Sequence, residues 1–392
     1  MSKRIGLVIA DLHIGALTAT NMWSQFKNSF LSYANSLSRL DFIVIAGDFF
    51  DYKLYLNSPY SEIAVTVMTA ICDLAKRFSA KVRIVYGTES HESNQYRIFD
   101  NLTKDETLDF KIINTASEEQ LFDDTKVLYL PEEFVMDKHE YYKDFFDKEK
   151  EYDYIFGHGV IQEVMTNAVR HSDKKSNRAK PAVFTTAELE KMCSGMCFFG
   201  HYHIHVDISE HIAYVGSFSR WKFGEEPDKG FFMTEKKDRK VTSKFIVNPY
   251  AEEYTTKSYG YSHRAFTSED EFIKEMDAVS TELRLNLDRH IRILVNIPED
   301  LPWASFIMEY LKTRFSNNEY SHRIKVNIVN GYIEKREQAD KEQIAEILDK
   351  YDFIFNRDLK LEDKCVQFIK IKFGRDVTIE RMREILYKEI GS

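Results

Sequence analysis

The chain has 392 residues, of which 43% are hydrophobic and 14% aromatic, and its formal net charge is −9 at pH 7. This length and apolar content suffice for two or three domains with buried cores, which excludes a mainly disordered chain. Only 15 glycines and 7 prolines occur, so a collagen-like or low-complexity array is excluded as well. No apolar run approaches the roughly 20 residues of a bilayer-spanning helix, and we therefore expect no membrane span.

Cysteine usage and the first residues favour a cytoplasmic setting. The four cysteines are too few for a disulfide framework. Cys193 and Cys197 are spaced like half of a zinc site, but no second Cys or His pair completes it, so we expect core packing there. The apolar run at residues 5–10 ends at Asp11 and is too short for a signal peptide. A negative net charge usually argues against a nucleic-acid partner, although carboxylates that bind metal ions give the same sign.

The first part of the chain alternates short apolar runs with amphipathic stretches, as in layered α/β domains. The clear strands are predicted at residues 4–10, 42–46 and 82–86. Apolar residues at helical spacing predict helices at residues 21–37 and 58–75. This alternation indicates a sheet whose strands are connected through helices.

After about residue 120 the predicted strands follow one another more directly. They lie at residues 127–130, 154–156, 197–200, 213–216, 231–234 and 245–247. One helix opens at Thr185, where Glu188 supplies the acid of a capping box. This arrangement is typical of the second sheet of a sandwich. The polar stretch at residues 252–263 predicts the end of this domain.

A small α/β module and a helical tail are predicted to follow. The module contains a helix at residues 269–285, a strand at 290–297, a helix opened by Pro302 and Trp303, and a strand at 323–329. From about residue 335 the apolar periodicity predicts three helical pieces. The predicted domains are therefore residues 1–250, 251–333 and 334–392.

Polar side chains follow five of the predicted strands, at the point where each strand ends. They are Asp11, His13, Asp48, His91, His158, His201 and His203. Because an open α/β sheet places its ligand site at the carboxyl ends of its strands, we expect these side chains to lie close together. Mixed imidazole and carboxylate donors suit Mn, Fe or Zn better than Ca or Mg. The sequence therefore predicts a metal centre.

The order of these motifs resembles that of the calcineurin-like metallophosphoesterases: Asp-x-His, Gly-Asp, a glycine-led motif ending in His-Glu, Gly-His and Gly-His-x-His. Within that superfamily, residues 214–220, 223–226 and 229–231 resemble the SbcD-type DNA repair nucleases. Asp51 matches the bacterial and phage members of that group. The resemblance covers about residues 4–250 well, and the remainder only in general layout.

The resemblance implies a four-layer α/β/β/α sandwich with a small α/β capping domain and a C-terminal helical tail. It also implies two divalent ions, with Mn²⁺ preferred, and Asp48 bridging both. The remaining ligands implied for the two ions are Asp11, His13 and His203 for one, and His158 and His201 for the other. His91 matches the catalytic histidine of the family, which stabilises or protonates the leaving oxygen.

The third motif departs from the family pattern. It has two extra residues and no asparagine where the family uses one as a ligand to the second metal. When His91 is aligned with the catalytic histidine, Ser90 takes the place of that asparagine. Glu89 or a water molecule are the alternatives at this position. A hydroxyl is a weaker ligand than an amide oxygen, so we expect weaker binding of the second metal.

Basic residues between the fourth and fifth motifs are candidates for substrate binding. They are Arg170, Lys174, Lys175, Arg178 and Lys180. They predict either a solvated loop or a basic arm that grips a DNA backbone near the site. Arg220 is a further candidate, with DNA contact and sheet packing as its two readings.

The function implied by the resemblance is that of a nuclease subunit, exonuclease or endonuclease, acting in DNA repair, recombination or replication. The family pairs with an SbcC-like SMC-family ATPase, and residues 361–373 and 378–390 are the helices that would bind it. A homodimer is expected, with residues 58–75 as one candidate face. Two alternatives remain: a phosphoesterase for phosphoproteins or small phosphoesters, and a DNA-end-binding scaffold with an impaired site.

Overall fold

The computed structural model describes residues 3–55, 57–164, 179–225, 227–260, 268–285, 290–297, 304–316, 324–330, 360–373 and 377–382. The chain divides into two compact units, residues 1–256 with 283–292, and residues 257–282 with 293–392. Several predictions lie outside the described residues, namely those on Arg170, Lys174, Lys175, Arg178, Pro302, Trp303 and most of the helical tail.

The strands of the described residues are numbered in chain order. They are β1 (Lys3–Ile9), β2 (Phe42–Ala46), β3 (Lys81–Val85), β4 (Phe110–Ile113), β5 (Ser117–Phe122), β6 (Thr125–Leu130), β7 (Phe134–Val135), β8 (Tyr152–His158), β9 (Val160–Ile161), β10 (Lys180–Pro181), β11 (Val183–Phe184), β12 (Cys193–Gly200), β13 (Val206–Ser209), β14 (Ile212–Tyr214), β15 (Gly230–Lys237), β16 (Lys240–Val247), β17 (Tyr254–Gly260), β18 (His290–Ile297) and β19 (Ile324–Asn330).

The helices vary widely in length. The α-helices are Ala19–Phe26, Ser32–Ser36, Pro59–Phe78, Glu89–Glu92, Asp100–Thr103, Lys138–Tyr141, Lys143–Phe146, Thr186–Met192, Glu269–Leu285, Ala304–Ser316 and Leu361–Phe373. A π-helical turn lies at Lys27–Leu31, and 3₁₀ turns lie at Gln95–Phe99 and Gln162–Val164. Among the described helices, none combines the length and the hydropathy needed to cross a membrane.

Two six-stranded mixed sheets form the larger unit. The first has the order β16-β15-β1-β2-β3-β4, and the second has the order β13-β14-β12-β8-β6-β5. In the first sheet, β1 to β4 are parallel and the β15–β16 hairpin is antiparallel to β1. In the second, β6, β8, β12 and β14 are parallel. The predicted α/β class is confirmed.

Both faces of the central strands are buried, as is usual for parallel sheets. On β1, Leu7 packs with the helix Pro59–Phe78 in one apolar cluster, whereas the neighbouring Val8 points to a second cluster. That second cluster combines side chains of both sheets, including Val44 of the first and Phe156 of the second. A third cluster joins the second sheet to the helix Thr186–Met192.

Most of the clear sequence signals correspond to elements of the structure. The strands predicted at residues 4–10, 42–46 and 82–86 are confirmed to within a residue as β1, β2 and β3. Thr185 caps its helix, and its capping box with Glu188 is present. The helix at Glu269–Leu285 and the strand at His290–Ile297 have the predicted bounds.

One helix differs from its prediction. Residues 21–37 were expected to form one helix, but two α-helical pieces flank the π-helical turn Lys27–Leu31. Phe26 and Phe30 are both fully buried and their rings stack at 5.0 Å. The wider turn places both rings in the same apolar cluster.

The second unit contains the rest of the predicted α/β module. Most residues of a three-stranded sheet with the order β17-β18-β19 belong to this unit. The helices Glu269–Leu285 and Ala304–Ser316 bury apolar side chains such as Phe272 and Leu311. The rings of Phe272 and Tyr310 contact each other at 5.6 Å. The helix Leu361–Phe373 has the bounds that the sequence predicts.

Candidate metal centre

The loops that follow β1 and β2 are bonded to each other, which brings the first two motifs together. The amide of Asp11 donates to the carbonyl of Gly47 (3.1 Å), and the amide of His13 donates to that of Asp48 (3.0 Å). Asp11, His13 and Asp48 have φ values of 48°, 44° and 48°. Left-handed backbone is costly for such residues and is found most often at functional sites. The strained loops therefore set the direction of all three side chains.

Two glycines allow the close approach of these loops to the rest of the site. Gly47 has a φ of +82°, and a Cβ there would lie 2.0 Å from Nδ1 of His158. A Cβ on Gly87 would lie 2.3 Å from both the amide nitrogen and Oδ1 of Asp48. Any larger residue at Gly87 would therefore displace Asp48.

Asp48 occupies the centre of the cluster and is 3% exposed. Its Oδ2 lies 3.3 Å from Nε2 of His158 and 3.7 Å from Nε2 of His13. The amide of Thr88 donates to Oδ1 at 2.7 Å. Burial alone would raise the pKa of Asp48, but the nearby His158 and His13 lower it below its usual value. The carboxylate is therefore anionic and faces two histidines at once.

The first group of possible metal ligands consists of Asp11, His13 and His203, whose donor atoms lie within 4.8 Å of one another. His13 is 1% exposed, and its Nε2 is buried with no hydrogen-bond partner among the described residues. That atom lies 3.9 Å from Oδ1 of Asp11. Because a buried polar atom without a partner is costly, this arrangement fits a site that holds a cation.

In both histidines of this group, a carboxylate contacts Nδ1, the ring nitrogen other than Nε2. Nδ1 of His13 lies 3.0 Å from Oδ1 of Asp51, and Nδ1 of His203 lies 2.7 Å from Oε1 of Glu225. Such contacts fix the orientation of a metal-binding imidazole and leave its Nε2 directed at the ion. Lys229, which is 1% exposed, donates to the carbonyl of His203 at 2.6 Å.

The second group surrounds His158, which the structure places with Asp11 and Asp48 and also with Glu132 and His201. Nδ1 of His158 donates to the carbonyl of Ala46 at 2.9 Å, so its Nε2 is directed towards Asp48. Burial opposes the charged imidazolium, yet Asp48 and Asp11 raise the pKa of His158 to about 10. Burial and then the charge of His158 lower the pKa of His201 to about 4.

His91 lies beside the first group and is open to solvent. Its Nδ1 is 3.3 Å from Nδ1 of His13 and 4.0 Å from Oδ2 of Asp48. The His91 side chain is 29% exposed, whereas those of His13 and Asp48 are at most 4% exposed. His91 can therefore meet a substrate that approaches from outside.

The third motif places Thr88, and not Ser90, next to the central carboxylate. Oγ1 of Thr88 lies 3.3 Å from Oδ2 of Asp48 and 3.5 Å from Nε2 of His158. Ser90 and Glu89 belong to the short helix Glu89–Glu92 and are exposed. Thr88 directly follows Gly87, so it is the residue of this motif whose side chain lies beside Asp48.

The two described basic candidates have structural partners. The guanidinium of Arg220 donates to the carbonyls of Glu225 (2.9 Å), Pro227 (2.9 Å) and Glu252 (3.2 Å). These bonds favour a packing role for Arg220 over the predicted alternative of DNA contact. Lys180 lies on β10, which pairs with β7.

Four residues near the site were not predicted as functional: Asp51, Thr88, Glu132 and Glu225. Asp51 was noted only as a family match, and Glu225 only as part of a resembling segment. Glu132 follows the end of β6 by two residues, so the strand-end argument used for the other motifs could have found it. Thr88 was not predicted because aligning His91 with the catalytic histidine of the resembling family puts Ser90 in the place of the asparagine.

Comparison with known proteins yields little. No family model matches the chain, and no curated protein sequence matches it. Among the solved structures, 44 chains match. One of them aligns over 62% of this chain and 100% of its own length, with a TM-score of 0.35 and 10% identity. Similarity at this level supports no conclusion about fold or function.

Proposed function

We propose that this chain is a two-metal phosphodiesterase of the calcineurin-like type, and that its substrate is DNA. The observation that carries the proposal is the position of Asp48, whose Oδ2 lies within 3.7 Å of a histidine from each ligand group. Two metal sites that share a carboxylate can stabilise both the attacking and the leaving oxygen of an in-line displacement at phosphorus. The order of the sequence motifs supports the same reaction class.

The ligand groups assign the ions to particular side chains. Asp11, His13 and His203 would hold one ion, His158 and His201 would hold the other, and Asp48 would be shared between them. The mixed donors suit Mn, Fe or Zn, and the resemblance to the calcineurin-like family favours Mn²⁺ among them. When bound, the two ions make water more acidic and neutralise charge on the phosphoryl oxygens.

The protein itself orients the ligands and moves a proton. Asp51 and Glu225 fix the rings of His13 and His203 through their Nδ1 atoms. His91, the partly exposed histidine of the cluster, donates a proton to the leaving oxygen. Trp221 lies with its ring 4.7 Å from that of His13 and 4.8 Å from that of His203, and it shields this side of the site from water.

The architecture that accompanies this function is a four-layer α/β/β/α sandwich. Apolar clusters on both faces of each six-stranded sheet support it. DNA as the substrate rests on the resemblance of residues 214–231 to the SbcD-type nucleases. An SbcC-like ATPase then binds the C-terminal helices, where Val366 and Ile369 of the helix Leu361–Phe373 are half-buried. The active form is a homodimer.

Hydrolysis assays with three substrates test this proposal. Duplex DNA, single-stranded DNA and a small chromogenic diester are each incubated with the metal-stripped chain, with and without Mn²⁺. We expect Mn²⁺-dependent cleavage of DNA, its loss in Asp48→Asn, and a decrease of about 100-fold or more in His91→Gln. Glu235→Gln is the control, because Glu235 pairs with Lys3 at 2.8 Å on the first sheet and takes no part in the site.

Each result has a defined meaning. Cleavage of the small diester without cleavage of DNA would support the phosphoesterase alternative. DNA binding without any metal-dependent hydrolysis would support the scaffold alternative. Undiminished cleavage by His91→Gln would contradict only the role proposed for His91.

A further inference from the structure

Three neighbouring parallel strands of the second sheet end at the same edge. Leu130 of β6 pairs with Gly157 of β8, and His158 of β8 pairs with Gly200 of β12. The residues just beyond these positions are Glu132 and His201. The register of the sheet therefore delivers Glu132, His158 and His201 to one place, by the same geometry that assembles the other ligands.

Glu132 is held in this place by its backbone. Its amide donates to the carbonyl of Tyr86 at 3.3 Å, which joins the loop after β6 to the residue just before Gly87. One carboxylate oxygen of Glu132 lies within 4.8 Å of the donor atoms of His158 and His201. Its Oε2 is buried and has no hydrogen-bond partner among the described residues. An anionic oxygen in this position is costly unless a cation neutralises it.

We propose that Glu132 is a ligand of the second metal ion, together with His158, His201 and the shared Asp48. The inference rests on the two-metal function proposed above. Under this assignment, the carboxylate of Glu132, which follows a different strand, takes the ligand role that the asparagine has in the resembling family. Thr88 is adjacent but offers only a neutral hydroxyl, whereas Glu132 contributes a charge.

This assignment changes the expected strength of the second site. With Ser90 or Thr88 in place of an amide, a weakly bound second ion would be expected. With Glu132, three carboxylates from Asp11, Asp48 and Glu132 surround two divalent ions. Carboxylate oxygen is a good ligand for Mn²⁺, so both ions bind firmly and remain together on one protein molecule.

Metal binding to the full-length chain tests the proposal without reference to catalysis. Metal-stripped protein is titrated with Mn²⁺ by calorimetry, and its electron paramagnetic resonance spectrum reports whether two ions are close enough to couple. For the wild-type chain we expect two ions and a coupled spectrum. For Glu132→Ala, which removes the donor atom, we expect the first ion to bind with unchanged affinity and the second ion to bind at least about 10-fold more weakly. The coupled signal that the wild-type chain gives with two bound ions should be lost.

The adjacent Glu133 is the matched control. Its carboxylate accepts hydrogen bonds from the hydroxyls of Tyr141 (2.7 Å) and Tyr142 (2.9 Å), and Glu133 belongs to none of the ligand groups among the described residues. Glu133→Ala is expected to bind two coupled ions. Glu132→His, which keeps a donor atom, is expected to regain a second ion. Circular dichroism confirms that each variant is folded before titration.

The outcomes separate this inference from the proposed function. Two coupled ions with unchanged affinity in Glu132→Ala would overturn the assignment of Glu132 and leave the two-metal function intact. A wild-type chain that binds no more than one Mn²⁺ would overturn the two-metal function and this inference with it.

Discussion

The candidate ligands are presented by backbone conformations that most side chains avoid. Asp11, His13 and Asp48 all lie in the left-handed region, where a non-glycine residue costs of the order of 1–3 kcal/mol. The hydrogen bonds between the loops after β1 and β2 hold them there. The donor geometry is therefore preformed by the protein and does not depend on an ion to create it.

Gly87 is the residue whose replacement should damage the site most through packing alone. A Cβ there would meet both the amide nitrogen and Oδ1 of Asp48 at 2.3 Å. We expect Gly87→Ala to lower the free energy of unfolding by about 3 kcal/mol and to weaken Mn²⁺ binding. Chemical denaturation and metal titration measure the two effects.

Gly224→Ala is the matched control for that variant. Gly224 has a φ of +95°, but a Cβ there would meet nothing within 4 Å. Its replacement should cost only about 1 kcal/mol through the backbone conformation and leave Mn²⁺ binding unchanged. Equal metal affinity in wild type and Gly87→Ala would contradict the steric argument.

At the scale of elements, a buried ion pair connects the two large sheets. Arg83 of β3 is completely buried and donates from Nε and Nη2 to the carboxylate of Glu119 on β5, at 2.7 and 2.8 Å. The hydroxyl of Tyr129 donates to the same carboxylate at 2.9 Å. Bidentate geometry of this kind fixes the relative position of its partners. The pair therefore aligns the edges of the sheets that carry the metal ligands.

The pKa of Glu119 leads to a prediction about acid stability. Burial alone would raise this pKa, but the hydrogen bonds and charge of Arg83 lower it to about 2, from 4.5 in the unfolded chain. Its contribution to stability is thus present above pH 4.5 and lost as the pH falls towards 2. At pH 7 we expect Glu119→Gln to be less stable by about 3 kcal/mol, with a shallower loss of stability between pH 5 and 3.

Denaturation curves at several pH values measure this difference. Glu235→Gln provides the comparison, because Glu235 and Lys3 form a more exposed pair between β15 and β1, and such pairs contribute about 1 kcal/mol or less. If Glu119→Gln and the wild type lost stability in parallel as the pH fell, the Arg83 pair would not be the cause of the acid sensitivity.

The elements also explain what could be predicted from sequence. β1 and β2 are buried on both faces, so their apolar runs at residues 5–10 and 42–46 were clear signals, and β3 is apolar apart from Lys81 and Arg83. β5 was missed because its sequence Ser117–Phe122 is mostly polar, and Glu119 is partly buried there through its partners and not through hydrophobicity. The ligands at strand ends were predictable because parallel strands share an edge. Glu132 lies beyond a strand end as well, but its approach to His158 depends on the pairing of β6 with β8, which a sequence alone does not specify.

At the scale of the whole molecule, a net charge of −9 must be reconciled with a polyanionic substrate. Several of the acids are assigned to ions that become positive centres once bound. Under the proposed function, the basic residues among positions 170–180 are expected to supply local attraction for the phosphates. Whole-chain charge is therefore a poor guide to the potential at the site.

Salt dependence of DNA binding tests the basic residues directly. Replacing Arg170, Lys174, Lys175 and Arg178 with serine should weaken binding and reduce the slope of log K against log salt by about 3, if each contacts a phosphate. Fluorescence anisotropy at several salt concentrations measures both quantities.

A control with the same charge change is available elsewhere on the molecule. Four exposed basic residues lie on or between β15 and β16, namely Lys237, Arg239, Lys240 and Lys244. Lys237 pairs with Lys3 at the start of β1, whereas the site lies at the end of that strand. Serine at these four positions should leave the salt slope unchanged, and an equal reduction would mean that only net charge matters.

The position of β1 between β15 and β2 has a consequence for synthesis on the ribosome. Roughly 220 residues separate β1 from β15, so at about 5–20 residues per second one edge of β1 stays unpaired for on the order of 10 s or longer. An unpaired edge is a template for incorrect strand pairing. All the ligands proposed here have been synthesised by His203, before β15 begins at Gly230. A nascent chain released between these two points would carry the complete ligand set beside an open, aggregation-prone sheet edge.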